Sequence, residues 1–276
     1  MTIKQVAIGV LFLVMSSSLL ADSDLNTSEL LTTGLGVQEK TLKLASTEWC
    51  PFICNSESRP GVIVEYLREL LARENITLEV DLLPWSRAIL QARNGKYHGL
   101  LTSTAQEAPD FMFPHLPTGK YQMCFFSVTP RDFVYVNRAS LRHIRLGVVQ
   151  NYGYGEPIDS VIKSPRPAEL IFEVASATPL KQLIKMANVG RIDMLIEDKL
   201  VMANYLLSTS NVNMHTLDCM PSQPFYTAIA PHVENSDFWV NKIATVLQGE
   251  RAELIYQELL SKYQLGRVDL PRLFLR

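Results

Sequence analysis

The sequence predicts an α/β protein of two similar sheet-and-helix lobes, and three observations carry that prediction. Apolar runs of strand length alternate with segments of helical, amphipathic spacing along most of the chain. The passage "LQARNGKYHGLLTS" (90–103) is echoed by "IKMANVGRIDMLIED" (184–198), each an amphipathic helix, a glycine stop, a basic residue and a strand ending in polar groups. Two further stretches, "GKYQMCFFSVTP" (119–130) and "SQPFYTAIAP" (222–231), are extended, apolar and closed by proline, so they read as two strands crossing between the lobes as a hinge.

Taken in order, "TLKLAS" (41–46) reads as a strand and "GVIVEYLRELLARE" (61–74) as a helix with apolar residues at helical spacing. "LEVDLLP" (78–84) is a strand, "WSRAILQARNG" (85–95) a helix ended by Gly95, and "YHGLLTS" (97–103) a strand. That rhythm implies a parallel sheet covered on both faces. It restarts with "HIRLGVVQ" (143–150), the loop "NYGYGEP" (151–157), helical "IDSVIK" (158–163) and the strand "LIFEVAS" (170–176). The helix "TPLKQLIKMANVG" (178–190) comes next, with Thr178 as N-cap and Pro179 in the first turn, and then the strand "IDMLI" (192–196). The distance from Gly95 to Gly190 is too long for a solenoid repeat, which leaves two lobes. The helical tail, "FWVNKIATVLQ" (238–248) and "AELIYQELLSKYQLG" (252–266), is expected to return over the first lobe. The division is therefore 39–125 with 224–276 for lobe 1, and 126–223 for lobe 2 with the hinge strands.

With 276 residues, 47% hydrophobic and 20% charged, the chain is of ordinary globular composition. A formal net charge of -2 and the lack of a basic groove exclude a nucleic-acid partner. Lys4, the apolar stretch "VAIGVLFLVM" and the small residues of "SSSLLAD" make a secretory signal over 1–21, cut after Ala21, with 22–38 as a loose lead. Its apolar part is short for a membrane span. No cysteine stands at the cut to carry a lipid, so a soluble exported monomer is expected. Four cysteines suit an oxidising space and allow three pairings. Cys50 and Cys54 bracket "PFI" in a turn-prone stretch where a local bridge closes easily, and Cys124 would then join Cys219 over a long loop; buried free thiols are the competing reading for that second pair. No histidine cluster accompanies Cys50 and Cys54, so no metal is expected, and no cofactor.

The segments "EWCPFIC" (48–54), "PWSRAILQARNGKYHG" (84–99), "EAPDFMFP" (107–114), "LGVVQNYGYG" (146–155), "GRIDMLIED" (190–198) and "PFYTAIAP" (224–231), in this order from about Lys43 to Leu265, resemble bacterial solute-binding protein family 3, the periplasmic receptors of amino-acid ABC transporters. The resemblance implies two Rossmann-like lobes of the type II periplasmic-binding-protein kind, closing over a small ligand in the periplasm. By the same resemblance, Asp198, at a strand-to-helix junction, takes the place of the carboxylate that accepts a ligand's ammonium group. The competing reading is an N-cap for the helix "KLVMANYLL". The arginine that in this family forks a ligand's α-carboxylate is replaced here by Glu107 and Ala108. Arg87, after Trp85, is the alternative source of positive charge; otherwise the ligand is cationic, neutral and polar, or a short peptide.

Other candidate contacts rest on position. Glu48, Trp49 and Phe52 come after the first strand, where the crevice of an open α/β sheet begins, and their aromatic faces can sandwich a ligand. Thr102, Ser103 and Thr104 end another strand and offer hydroxyls. Tyr152, Gly153, Tyr154 and Gly155 lie between strand and helix, where free N–H groups can hold an anion. No third glycine or ribose-binding acid makes this a dinucleotide site. Glu197 is expected to be structural and Asp193 to pair with a base. The five histidines are scattered and no nucleophile elbow is present, which favours binding over catalysis; a cyclohexadienyl dehydratase-like enzyme is the alternative on the same fold. The partner is an ABC permease or a membrane sensor.

Overall fold

The computed structural model describes residues 40–164 and 170–265. The expected signal (1–21) and lead (22–38) lie outside them.

Lobe 1 opens with β1 (Lys40–Ser46), α1 (Val62–Ala72), β2 (Ile76–Leu82), α2 (Trp85–Arg93) and β3 (Gly99–Ser103). β1 runs parallel to both β2 and β3. All of β3 is buried, as expected of a central parallel strand covered on both faces. The chain then passes through β4 (Gly119–Tyr121) and β5 (Met123–Ser127) to β6 (Leu146–Val149), α3 (Ile158–Lys163), β7 (Ile171–Val174), α4 (Pro179–Asn188), β8 (Met194–Asp198) and α5 (Lys199–Ser208). It returns through β9 (His215–Cys219) and β10 (Gln223–Ile229) to α6 (Ser236–Val246) and α7 (Glu250–Lys262). The two sheets have the orders β2-β1-β3-β10-β4 and β7-β6-β8-β5-β9. Each places three parallel strands beside one antiparallel visitor, β10 in the first and β5 in the second.

The two passages that echo each other in sequence fold alike. α2 ends at Gly95 (φ +78) and α4 at Gly190 (φ +69), both left-handed. The N–H of Gly95 donates to the Ala92 carbonyl and that of Lys96 to Gln91; Gly190 donates to Ala187 and Arg191 to Met186. These are Schellman closures, which need a residue without Cβ strain at the turn. Asp193 then accepts from Arg145 Nη2 at 2.7 Å and draws in Arg131 at 3.6 Å.

Two details differ from the sequence reading. The stretch 119–130 is not one crossing strand: it breaks at Gln122, so that β4 lies in the first sheet and β5 in the second. The return crossing adds β9, an edge strand in "HTLDC" whose polar residues gave no alternating apolar signal. Cys124 stands directly opposite Cys219 in the β5–β9 ladder, and the two are joined, as are Cys50 and Cys54. α7 packs on α1 through Tyr256 and Tyr66, whose rings lie 5.1 Å apart, and Tyr263 receives the Gly61 N–H on its hydroxyl at 2.9 Å.

Candidate functional site

The carboxyl ends of the parallel strands of both sheets face one crevice, the usual ligand position in open α/β folds. At its floor is a cavity of about 30 Å³, taken as the space open to the centre of a water molecule. Lobe 1 supplies Thr47 and Trp49 after β1, Trp85 at the start of α2, Thr102 and Ser103 at the end of β3, and Thr104 and Glu107 after it. Tyr121 and Phe225 reach in from β4 and β10, Met123 from β5, and Tyr152 and Gly153 from the loop after β6.

The aromatic wall is a packed cluster rather than a row of loose rings. Trp49 lies 4.7 Å from Phe52 and 5.7 Å from Phe225, centroid to centroid, and Trp85 meets Tyr152 edge-on at 6.2 Å across the crevice. Trp49 is thus both core and cavity wall. Phe52 stands behind it and does not line the cavity.

Hydrogen bonds join the lobes around this cavity. Trp49 Nε1–H donates to Glu197 Oε1 at 3.0 Å, Trp85 Nε1–H to the Asn151 carbonyl at 3.1 Å, and the Gly153 N–H to Glu107 Oε1 at 2.9 Å. At the rim, Ser86 Oγ–H donates to Gln150 Oε1 at 3.0 Å and Asn151 Nδ2–H to Ser86 Oγ at 3.0 Å. The Gly153 contact leaves no room for a side chain: a Cβ there would stand 2.6 Å from Thr104 Oγ1.

The acids at the strand ends are divided among different tasks. Asp198 is 1% exposed; its Oδ1 accepts from the N–H groups of Leu200 (2.8 Å) and Val201 (3.0 Å), and its Oδ2 from Gln122 N–H (2.8 Å). It caps α5 and grips the crossing between β4 and β5, and it does not line the cavity. Glu197 faces the interior as well, taking Trp49 Nε1–H and the Asp198 N–H. Glu107 is the carboxylate that borders the cavity, held by the Thr104 N–H (2.7 Å) and hydroxyl (3.1 Å) on Oε2. Burial pushes Glu107 up to about 7 and raises Glu197 and Asp198 in the same direction.

Of the other sequence candidates, Trp49, Thr102, Ser103, Thr104 and Tyr152 are brought together in the cavity wall. Arg87 is exposed on α2 and does not line the cavity. Glu48 faces two wider grooves of about 540 and 600 Å³ outside it. Tyr154 is buried in lobe 2, where its hydroxyl accepts the Val149 N–H at 2.6 Å. The backbone donors expected to hold an anion are taken by the protein's own acids: Gly153 by Glu107, and Tyr154 and Gly155 by Asp159 of α3. Thr47, Trp85, Tyr121, Phe225 and the role of Glu107 were not read from the sequence. Thr47 was within reach of it, because Thr47 and Trp49 share a face when an extended strand end is continued at period two.

No family model and no curated protein matches the chain by sequence. Solved structures do resemble it. An ancestral arginine-binding protein bound to glutamine aligns with a TM-score of 0.66 at 15% identity over 82% of this chain and 98% of its own. A histidine kinase sensor domain with similarity to periplasmic binding proteins gives 0.68 at 14% identity over 82% and 96%. A putative L-cystine ABC transporter protein from Listeria monocytogenes gives 0.69 at 13% over 86% and 100%. With two five-stranded α/β lobes joined by a double crossing, and likenesses of this extent, the chain has the periplasmic-binding-protein fold.

Proposed function

We propose that the protein is an exported, periplasmic solute-binding protein that captures a small polar solute by hinge closure and hands it to a membrane partner, an ABC permease. The observation that carries this reading is the cavity itself, walled by both lobes at their strand ends and bracketed by the Trp49–Glu197, Trp85–Asn151 and Glu107–Gly153 hydrogen bonds. Such contacts form only when the lobes meet, so a solute that adds to them raises the closed population by its differential affinity. The arginine-binding and cystine-transporter neighbours support a small polar solute, and the kinase sensor domain supports a membrane sensor as the alternative partner.

Binding is favoured over acid–base catalysis by the lining. Among the described residues, Glu107 is the one carboxylate in the wall, whereas an acid–base pair requires two groups facing the substrate. Glu197 is committed to Trp49 and to the start of α5.

Thermal unfolding of the exported chain against amino acids, amines, short peptides, sugars and small organic acids, paired with small-angle scattering, tests the reading. A true ligand at a hundred times its Kd adds about 2.7 kcal/mol of stability and shrinks the particle. A panel without any shift, or a shift accompanied by consumption of the solute, sinks it.

A further inference from the structure

The cavity carries a carboxylate and no opposing charge. Among the described residues its lining holds Glu107 but no lysine, arginine or histidine. A carboxylate offers about four acceptor positions. Three are used on Glu107, two on Oε2 by Thr104 and one on Oε1 by Gly153, which leaves a position on Oε1. The ionisable groups around it are themselves acidic or phenolic: Asp159 of α3, Tyr121 of β4, and Tyr152 and Tyr154 of the loop after β6. A buried carboxylate without a cationic partner is costly, and a cation entering the cavity would remove that cost.

Two more polar atoms point the same way. Thr47 is 4% exposed, and its Oγ1 completes no hydrogen bond. The Tyr152 hydroxyl of the opposite lobe is buried too and faces Thr47; apart from that mutual contact, neither hydroxyl has a partner among the described residues. Both can accept an N–H. Trp49, Trp85, Tyr121 and Phe225 make up much of the remaining wall, and aromatic faces attract cations while excluding anions.

We propose that this cavity takes a small protonated amine, its N–H groups on Glu107 Oε1, Thr47 Oγ1 and the Tyr152 hydroxyl, and its carbons against Trp49, Trp85 and Phe225. The inference rests on the solute-binding reading above and narrows it. Size sets the scale: about 30 Å³ is room for two or three non-hydrogen atoms, since a water requires roughly 10–15 Å³ in the same measure. Methylammonium and ethylammonium fit. Zwitterionic amino acids and organic acids do not, because their carboxylate would face Glu107.

The test is calorimetric and thermal titration of the exported chain at pH 8 with methylammonium and ethylammonium chloride at matched ionic strength. Ethanol serves as the uncharged analogue and acetate as the anionic one. Saturable heat and a rise in Tm are expected for the two amines and not for ethanol or acetate. Glu107→Gln should weaken amine binding at least tenfold, and Thr47→Val severalfold, with both variants giving the wild-type circular dichroism spectrum. Amine binding undiminished in both variants, or a larger response to ethanol or acetate, overturns the proposal. If another solute compacts the chain while neither amine binds, the amine assignment falls and the solute-binding reading stands; if nothing in either panel binds, both fall.

Discussion

The two lobes share a sheet order but use the acids at their strand ends in opposite ways. β8 runs directly into α5, so Asp198 is drawn onto the exposed N–H groups of that helix and onto Gln122. β3 leads into a turn instead of a helix, and Glu107 folds back onto Thr104 with its other oxygen toward lobe 2. The lesson is that a carboxylate beside a crevice is available to a ligand only when no helix start claims it first. The lobe 2 acid anchors a helix, and the lobe 1 acid borders the cavity.

Breaking the staples separates the lobes most strongly. The Cys124–Cys219 bridge closes a loop with a separation of 95 residues in lobe 2, whereas Cys50–Cys54 in lobe 1 closes one of 4. Loop-closure entropy gives about 4–5 kcal/mol for the first and about 2 kcal/mol for the second. Guanidinium unfolding of the paired alanine variants should rank them in that order, and equal losses would contradict it. Next, Asp198→Ala orphans three backbone N–H groups and should cost about 3 kcal/mol. Glu107→Gln should instead stabilise the chain at pH 8 while weakening the amine. If Asp198→Ala abolished binding at unchanged stability, the roles of the two acids would be reversed.

The pH dependence sharpens the same contrast. The Glu107 carboxyl, ordinarily near 4.5, is raised by burial to about 7, with Asp159 adding to the rise. Between those values the folded chain holds a proton that the unfolded chain has released, so stability falls as pH rises through the window, by roughly 3 kcal/mol. On the amine proposal, affinity should have the opposite sign, growing as Glu107 ionises. Because Glu197 and Asp198 shift in the same direction, the Glu107→Gln variant isolates the Glu107 share. Chemical unfolding at pH 5 and pH 8, with and without ethylammonium, reads both slopes. Smallest of all, Ser86→Ala removes exposed rim contacts to Gln150 and should change stability by less than about 0.5 kcal/mol.

Much of the fold was legible because it is written locally. Periodicity marked the helices, and the glycine stops at Gly95 and Gly190 exposed the repeat. β9 escaped because an edge strand of His, Thr and Asp lacks an apolar face, and the break at Gln122 escaped because Tyr121 and Met123 both look like strand. The site was harder. Trp49, Thr102, Ser103, Thr104 and Tyr152 are reached by the rule that strand ends line the crevice. Tyr121 and Phe225 come from crossing strands, whose facing depends on pairings made with distant segments. Whether Asp198 or Glu107 faces the cavity depends on whether its strand leads into a helix or into a turn, and that is a tertiary choice.

Gln122 has a further effect on movement. Its N–H is held by Asp198, and its side-chain Nε2 donates to the Met220 carbonyl at 3.1 Å, so the outgoing and returning chains are tied at the break as well as along the β4–β10 and β5–β9 ladders on either side of it. Two plates joined along such a seam should turn about it like a door on its hinge and resist sliding. Tyr121 and Met123, beside the seam, are then expected to travel little, while Ser86 and Gln150, which face each other from opposite lobes, are expected to part. A pair of spectroscopic labels at Ser86 and Gln150 should therefore register more of such a turn than a pair placed at Tyr121 and Met123.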